Sequence, residues 1–193
     1  VSLSMLCAHG GAWLMLRTDG DLRARSAQAT KIMGIVFLVC FLGAGAWLYF
    51  GNIQGYTLVQ PFDTNGVANP LAKEVLTNAN PGWMNNYSDY PITMIAPIMA
   101  TLGGLIIILG ASKSKAGITF TGSSLAVTGA ILTAGFALFP FLMPSSLNPT
   151  VSLTMWDAVS SKNTLTVMTV AASIFVPVIL IYTTWSYYKM WGV

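Results

Sequence analysis

The side chains that could carry chemistry in this sequence are sparse and do not gather. His9 is the only imidazole, the one group suited to proton transfer near neutral pH or to ligating a haem or metal. It stands before Gly10 and Gly11 in an apolar run. There it reads as a haem or quinone contact or, in the commoner case, as a polar residue packed in a helix bundle. Cys7 and Cys40 lie in separate apolar runs whose spacing suits neither a metal site nor a disulfide, so both read as buried free thiols. Among the ten methionines, Met94, Met99, Met143 and Met168 could offer a thioether ligand, but such side chains more often fill gaps between helices. Haem and metal centres draw on clusters of His, Cys or carboxylates, and one histidine cannot build such a centre. The sequence holds no nucleophile with a positioned base, phosphate-binding loop or catalytic carboxylate pair. It therefore offers no catalytic, cofactor-binding or metal-binding residue.

Hydropathy sets the elements that would hold any such groups. Of 193 residues, 54% are hydrophobic and 8% charged, with a mean hydropathy of +0.67, whereas a soluble domain carries about a quarter charged residues. That balance excludes a soluble globular enzyme and predicts an integral membrane protein. The net charge of +3 comes from Lys and Arg scattered between apolar runs, without the basic patch that nucleic acid requires. Ile32–Phe50, Ile92–Ala111, Ile118–Phe141 and Leu165–Tyr188 are each long enough to span as a helix. Val1–Leu16 is apolar from its first residue, which argues against a signal peptide. At 1.5 Å per residue it reaches about 24 Å, short of a hydrocarbon core of about 30 Å, so residues 1–16 read as the end of a truncated transmembrane helix in a piece of a longer membrane protein. The predicted fold class is all-α, with four transmembrane helices forming a bundle over residues 32–193 plus the C-terminal part of a preceding helix. Residues 17–31 are expected as a cytoplasmic loop and 51–91 as an outer loop, with a short helix at Leu71–Asn78 after Asn69-Pro70. Ser112–Gly117 reads as a tight turn, and 140–163, with Pro140, Pro144 and Pro149, as an interfacial or re-entrant segment.

Cations assign the sides. Arg17, Arg23, Arg25, Lys31, Lys113, Lys115 and Lys189 fall on one side, against Lys73 and Lys162 on the other, which predicts a cytoplasmic C-terminus. Trp47, Tyr49, Phe50, Trp83, Tyr90, Trp156, Trp185, Tyr187, Tyr188 and Trp191 sit near span ends as interface anchors. Gly122, Ala126, Ala130 and Ala134 recur every fourth residue and predict a helix-packing or partner interface. Gly43 with Gly45, and Gly103 with Gly104, are shorter signals of the same kind. Pro97 and Pro177 lie inside spans and predict kinks. The stretch Arg17–Asp21 with Arg23 and Arg25 reads as a solvated turn carrying the topology signal, or as a docking site for a partner subunit or anionic lipid. Asp157, beside Trp156, reads as a turn or capping residue, with proton traffic or partner contact as the functional alternative. The four complete spans carry no ionisable residue in their middles, which counts against a proton relay or coupled transport.

The run Thr133–Ser146, with its Phe-Pro-Phe-Leu-Met-Pro-Ser-Ser ending, followed by Ser152–Ala158 and Leu165–Met168, resembles the C-terminal half of subunit II of bacterial cytochrome bd ubiquinol oxidases. Leu16–Thr18, Asp21–Arg25, Asn69–Val75 and Ile181–Trp185 extend the likeness along essentially the whole chain. The resemblance implies a respiratory-chain terminal oxidase of the bacterial inner membrane, which oxidises ubiquinol and reduces dioxygen to water. In that family subunit I carries haems b and d and the quinol-oxidising loop. Subunit II is its haem-poor, structurally related partner, built from two four-helix bundles and a peripheral helix, and this chain looks like the second bundle. The implied partners are the haem-bearing subunit I, the N-terminal half of the same subunit, membrane lipids and quinone. The family's acidic proton-path residues and quinone contacts belong to that N-terminal half, so none is carried onto a residue here. A fragment of a transporter or channel, using kinks at Pro97 and Pro177, is the alternative.

Overall fold

Backbone in lipid must satisfy its own N–H and C=O groups, so long apolar runs cross as helices. The computed structural model describes residues 1–51, 53–59, 73–78 and 82–190. Its helices are α1 (Ser2–Arg17), α2 (Gly20–Phe50), α3 (Asn85–Asp89), α4 (Ile95–Ser112), α5 (Ala116–Leu138) and α6 (Lys162–Met190). Four of them, α2, α4 with the 3-10 turn leading into it, α5 and α6, are long and apolar enough to cross a membrane, the all-α membrane architecture that the sequence predicts. At one end of the helices, two antiparallel strand pairs and α3 build a cap. One pair is β1 (Gly55–Leu58) with β2 (Val75–Asn78), and the other is β3 (Phe141–Met143) with β4 (Leu153–Thr154).

The helices that pack together are α1, α2, α4 and α5, each touching its neighbours around a ring. Ala8, Phe37, Leu38, Ala100, Ile107 and Ala126 form the central core, with at least one residue from each helix. Near the turns a second cluster joins Met15, Ala27, Ala111 and Ala116. The short helix α1 thus takes the fourth place in the packed body, whereas no residue of α6 is buried. Hydropathy reports that a helix can live in lipid; it carries no information on which neighbour the helix chooses.

Other expectations are corrected. Residues 17–31 are not a loop: the chain breaks at Thr18 and Asp19 and is helical again from Gly20. Charge marks where the membrane ends, not where the helix ends, and Ala, Arg, Gln and Lys are good helix formers in water. With 31 residues, α2 is about 46 Å long against a core of about 30 Å, so its Arg-bearing first turns project beyond the core. Val75–Asn78 pairs with β1 as a strand where the sequence reading expects a helix; Asn69, Pro70 and the rest of that helix signal up to Ala72 lie outside the described residues, as does Trp191. Pro97 stands in the first turn of α4, where its missing N–H costs no helical bond, so it introduces no kink there. Pro177 does lie inside α6. Cys7 and Cys40 are exposed on helix surfaces rather than buried.

Candidate functional site

Small residues bring α4 and α5 into backbone contact. A Cβ added to Gly103 would collide with the Ala126 backbone and stand 2.7 Å from the Gly122 carbonyl. One added to Gly129 would strike the Ala100 backbone, and one on Gly122 would lie 2.5 Å from the Ile106 side chain. Gly122 and Ala126 therefore lie on the α4 seam. Ala130 and Ala134 do not continue it: residues four apart drift about 40° per step around a helix of 3.6 residues per turn. By Ala134 the stripe faces an apolar groove of about 680 Å³ between α2, α4 and α5, which Phe41, Gly45 and Met94 also line. The seam's actual spacing is Thr119, Gly122, Ala126 and Gly129, alternating three and four. That alternation is visible in the sequence and would have found Gly129, which the strict four-residue count passes over.

His9 sits on α1 facing α5. Its Nδ1 lies 2.9 Å from Ser123 Oγ, and the Ser123 hydroxyl donates to the Phe120 carbonyl at 2.8 Å. The Ser123 hydroxyl thus lies within hydrogen-bond reach of both the His9 ring and the carbonyl of its own helix. The ring also stacks on Phe120 with centroids 5.1 Å apart. At the turn end of the body, Arg23 Nη2 donates to the Ser114 carbonyl at 3.2 Å, which brings the α1–α2 break and the α4–α5 turn to the same end. Arg23 also lies 3.7 Å from exposed Asp19, and Arg17 stacks over Trp13 at 4.9 Å.

Charge is used differently in the cap. Lys73 Nζ reaches Asp157 Oδ2 at 2.5 Å, with side-chain exposures of 2% and 7%. The same oxygen accepts from the Thr154 amide at 2.9 Å and the Thr154 hydroxyl at 2.6 Å. Burial alone would raise the Asp157 carboxyl; the hydrogen bonds from Lys73 and Thr154 and the charge of Lys73 outweigh it and hold the group below its ordinary 3.8. The pair ties the connection after α2 to the connection after α5. Trp156, next in sequence, meets Phe139 edge-on at 6.2 Å. Around the pair, Tyr56 packs on Trp83 at 5.5 Å and on Phe141 at 6.2 Å, and Gly55 and Gly82 touch backbone to backbone. The cap also closes α5. Pro140 has no N–H to give the Phe136 carbonyl, and Asn86 Nδ2 supplies that donor at 2.8 Å while also reaching the Phe139 carbonyl at 2.5 Å. The Tyr87 hydroxyl donates to the Thr133 carbonyl at 2.6 Å.

The donor set does not fit a haem. His9 is engaged at Nδ1 and stacked, Cys7 and Cys40 are on separate helices, and Met94, Met143 and Met168 are exposed rather than converging on one pocket. Among the described residues no three His, Cys, Asp or Glu side chains come together. What this arrangement can do is hold helices at close approach and clamp a cap onto them.

The family model for cytochrome bd terminal oxidase subunit II matches residues 1–190. Cytochrome bd-I ubiquinol oxidase subunit 2 of Escherichia coli (strain K12) is 44% identical over 192 residues, covering 100% of this chain and 50% of that protein. A probable cytochrome oxidase subunit 2 of Haemophilus influenzae is 40% identical over the same length and shares. Cytochrome bd ubiquinol oxidase subunit 2 of Bacillus subtilis is 32% identical over 192 residues, covering 97% of this chain and 47% of that protein. The chain spans about half the length of the curated relatives it matches.

Proposed function

The chain belongs to the cytochrome bd terminal oxidase subunit II family, and from that premise we propose that it is part of the haem-poor structural subunit of a bd-type quinol oxidase. Its role is to support quinol oxidation and the reduction of dioxygen to water by a haem-bearing partner, subunit I, in the bacterial inner membrane. The observation that carries this reading is the family match along residues 1–190. A body joined by glycine and alanine seams, with its one imidazole engaged by Ser123, supports a scaffolding role in which the subunit keeps its partner's cofactor pocket ordered and dry. No residue here is assigned to catalysis, and haems b and d are assigned to the partner.

The layout follows from the same proposal. The turn end of the body, with Arg17, Arg23, Arg25, Lys31, Lys113 and Lys115, faces the cytoplasm together with the C-terminus, and the cap faces outward. Helix α1 is the end of a longer membrane helix; the apolar groove beyond its first residues, between α2 and α5, supports preceding turns of the same subunit as its filling. Gly122, Ala126, Ala130 and Ala134 serve helix packing, while Trp156 and Asp157 hold the cap.

The test is purification of the full-length parent from bacterial membranes with a reduced-minus-oxidised visible spectrum. Haem b and d bands accompanying a second subunit are expected. A haem-free preparation of this polypeptide alone would overturn the reading. The transporter alternative is not favoured, since the four long spans carry no ionisable residue in their middles.

A further inference from the structure

His9 leaves one of its two ring nitrogens unspent. Ser123 Oγ lies 2.9 Å from Nδ1, and among the described residues Nε2 has no hydrogen-bond partner. The ring is half-buried, and Thr30 Oγ1 is the one described side-chain atom both buried and without a partner, so Nε2 is open to the outside of the body. A neutral imidazole has one donor and one acceptor nitrogen, and Nε2 therefore calls for a partner in either tautomer. Its depth makes that demand costly to leave unmet. At 1.5 Å per residue, His9 lies about 12 Å along α1 from Arg17, and Ser123 about 12 Å along α5 from Lys115. Both cations mark the membrane edge, and the hydrocarbon core beyond it is about 30 Å thick. The two helices agree in placing the imidazole inside the hydrocarbon, where lipid tails offer no hydrogen bond and ionisable side chains pair with other polar groups.

We propose that the outer face of α1 around His9 docks a transmembrane helix of the same subunit lying outside these 193 residues, which sets a hydroxyl, amide or carboxyl side chain against His9 Nε2. The surrounding residues fit a helix. Leu6, Gly10 and Trp13 follow the four-then-three spacing of one helix face, with Leu6 61% and Trp13 42% exposed. A Cβ on Gly10 would meet nothing within 4 Å, which leaves room for close approach. The body uses other sides of α1: Gly11 packs on Thr30 of α2, and the inner side of His9 meets Phe120 and Ser123 of α5. Two observations weigh against a ring-shaped ligand at Nε2. The aromatic rings are turned on the protein itself, His9 stacking on Phe120 and Trp13 lying 5.6 Å from Phe120 and beneath Arg17. The apolar groove of about 680 Å³ is lined by none of His9, Trp13 and Phe120. Sequence order selects the source of the helix. Consecutive elements usually neighbour one another in space, and the chain spans about half the length of its curated relatives. The inference thus rests on the reading of α1 as the end of a longer membrane helix and not on the assignment of haems.

The test uses the full-length parent with its partner subunits in phosphatidylcholine nanodiscs, with Leu6 replaced by photoreactive benzoylphenylalanine and the irradiated protein read by mass spectrometry. Cross-links to a peptide of the parent that precedes Val1 are expected, in severalfold excess over lipid adducts. Adducts mainly with phospholipid or quinone, or cross-links mainly to α6 or to another subunit, overturn the inference. If that preparation keeps its haem bands, the oxidase reading stands regardless. A second measurement reads the hydrogen bond. His9→Phe keeps a ring to stack on Phe120 and removes both nitrogens, whereas Ser123→Ala removes the Nδ1 contact alone. The thermal midpoint is expected to fall further for His9→Phe than for Ser123→Ala, because the docked side chain is then stranded in hydrocarbon. An equal or smaller fall for His9→Phe overturns the inference, since a nitrogen facing lipid costs nothing to remove.

Discussion

The helical body and the cap are held together by opposite means. In the body, helices meet where side chains are missing: Gly103 against Ala126 and Gly129 against Ala100. Hydroxyls there turn back on their own helix, as Thr119 does to Lys115 at 2.9 Å and Thr133 to Gly129 at 2.7 Å. Thr30, filling the space left by Gly11, is a buried hydroxyl without a hydrogen-bond partner among the described residues. In the cap, segments distant in sequence are joined by Lys73 and Asp157 and by side chains that cap α5. The difference follows from the solvent. Lipid is as apolar as the side chains within, so helices associate through close approach and dispersion, whereas the cap encloses a matched charge pair within a small polar fold.

Five variants and a titration put this contrast at risk. The largest effect is expected from Asp157→Ala, which strands the buried Lys73 ammonium and costs about 4 kcal/mol, read as a lowered unfolding midpoint of the detergent-solubilised protein. Lys73→Met combined with Asp157→Leu should recover most of that loss; a double variant no better than the single would show that the cap does not rest on the pair. Because folding holds Asp157 below its ordinary 3.8, the pair's contribution is fully present above that pH. It declines as the pH falls through the folded-state value. The stability gap between the native chain and Asp157→Asn should therefore be flat from neutrality down to about pH 4 and close in stronger acid.

Gly103→Val comes next, at about 3 kcal/mol, because its Cβ meets backbone that cannot rotate away; a loss below about 1 kcal/mol in the same measurement would remove the seam from the account. Asn86→Ala should cost about 2 kcal/mol by leaving the Phe136 carbonyl without a donor, seen as a lower thermal midpoint. The smallest effect belongs to Gly135→Ala. Its Cβ would meet nothing within 4 Å, so the gain in helix propensity should stabilise by about 0.5–1 kcal/mol. The opposite signs at Gly103 and Gly135, two glycines of neighbouring helices, would separate close approach from composition.

The spans were legible in the sequence because they depend on residue type alone. Ile92–Ala111 and Leu165–Tyr188 lie within the helices Pro91–Ser112 and Lys162–Met190, since twenty apolar residues in lipid leave the backbone little else to do. Neighbour choice was legible only in part. Hydropathy does not separate α6 from α4, but small residues do: α4 holds Gly103, Gly104 and Gly110 and has seven buried residues, whereas α6 has no glycine and none buried. The cap was the least legible part: Val75 and Leu76 follow an apparent helix start but pair with Leu58 and Thr57, because strand pairing is a tertiary choice. Asp157 drew attention as a lone carboxylate. Its partner Lys73 was counted only as a topology charge, because Glu74 stands beside it and 84 residues separate it from Asp157.

Pro140 also changes what kind of object the end of α5 is. The rung that this proline removes is replaced by Asn86, which lies 50 residues before the Phe136 carbonyl it serves. The last turn of α5 and the short helix α3 consequently share one ladder, and neither can open without exposing an orphan in the other. Local unfolding there is a joint event, so the boundary between membrane helix and cap, sharp in the sequence at Pro140, falls inside a single cooperative unit.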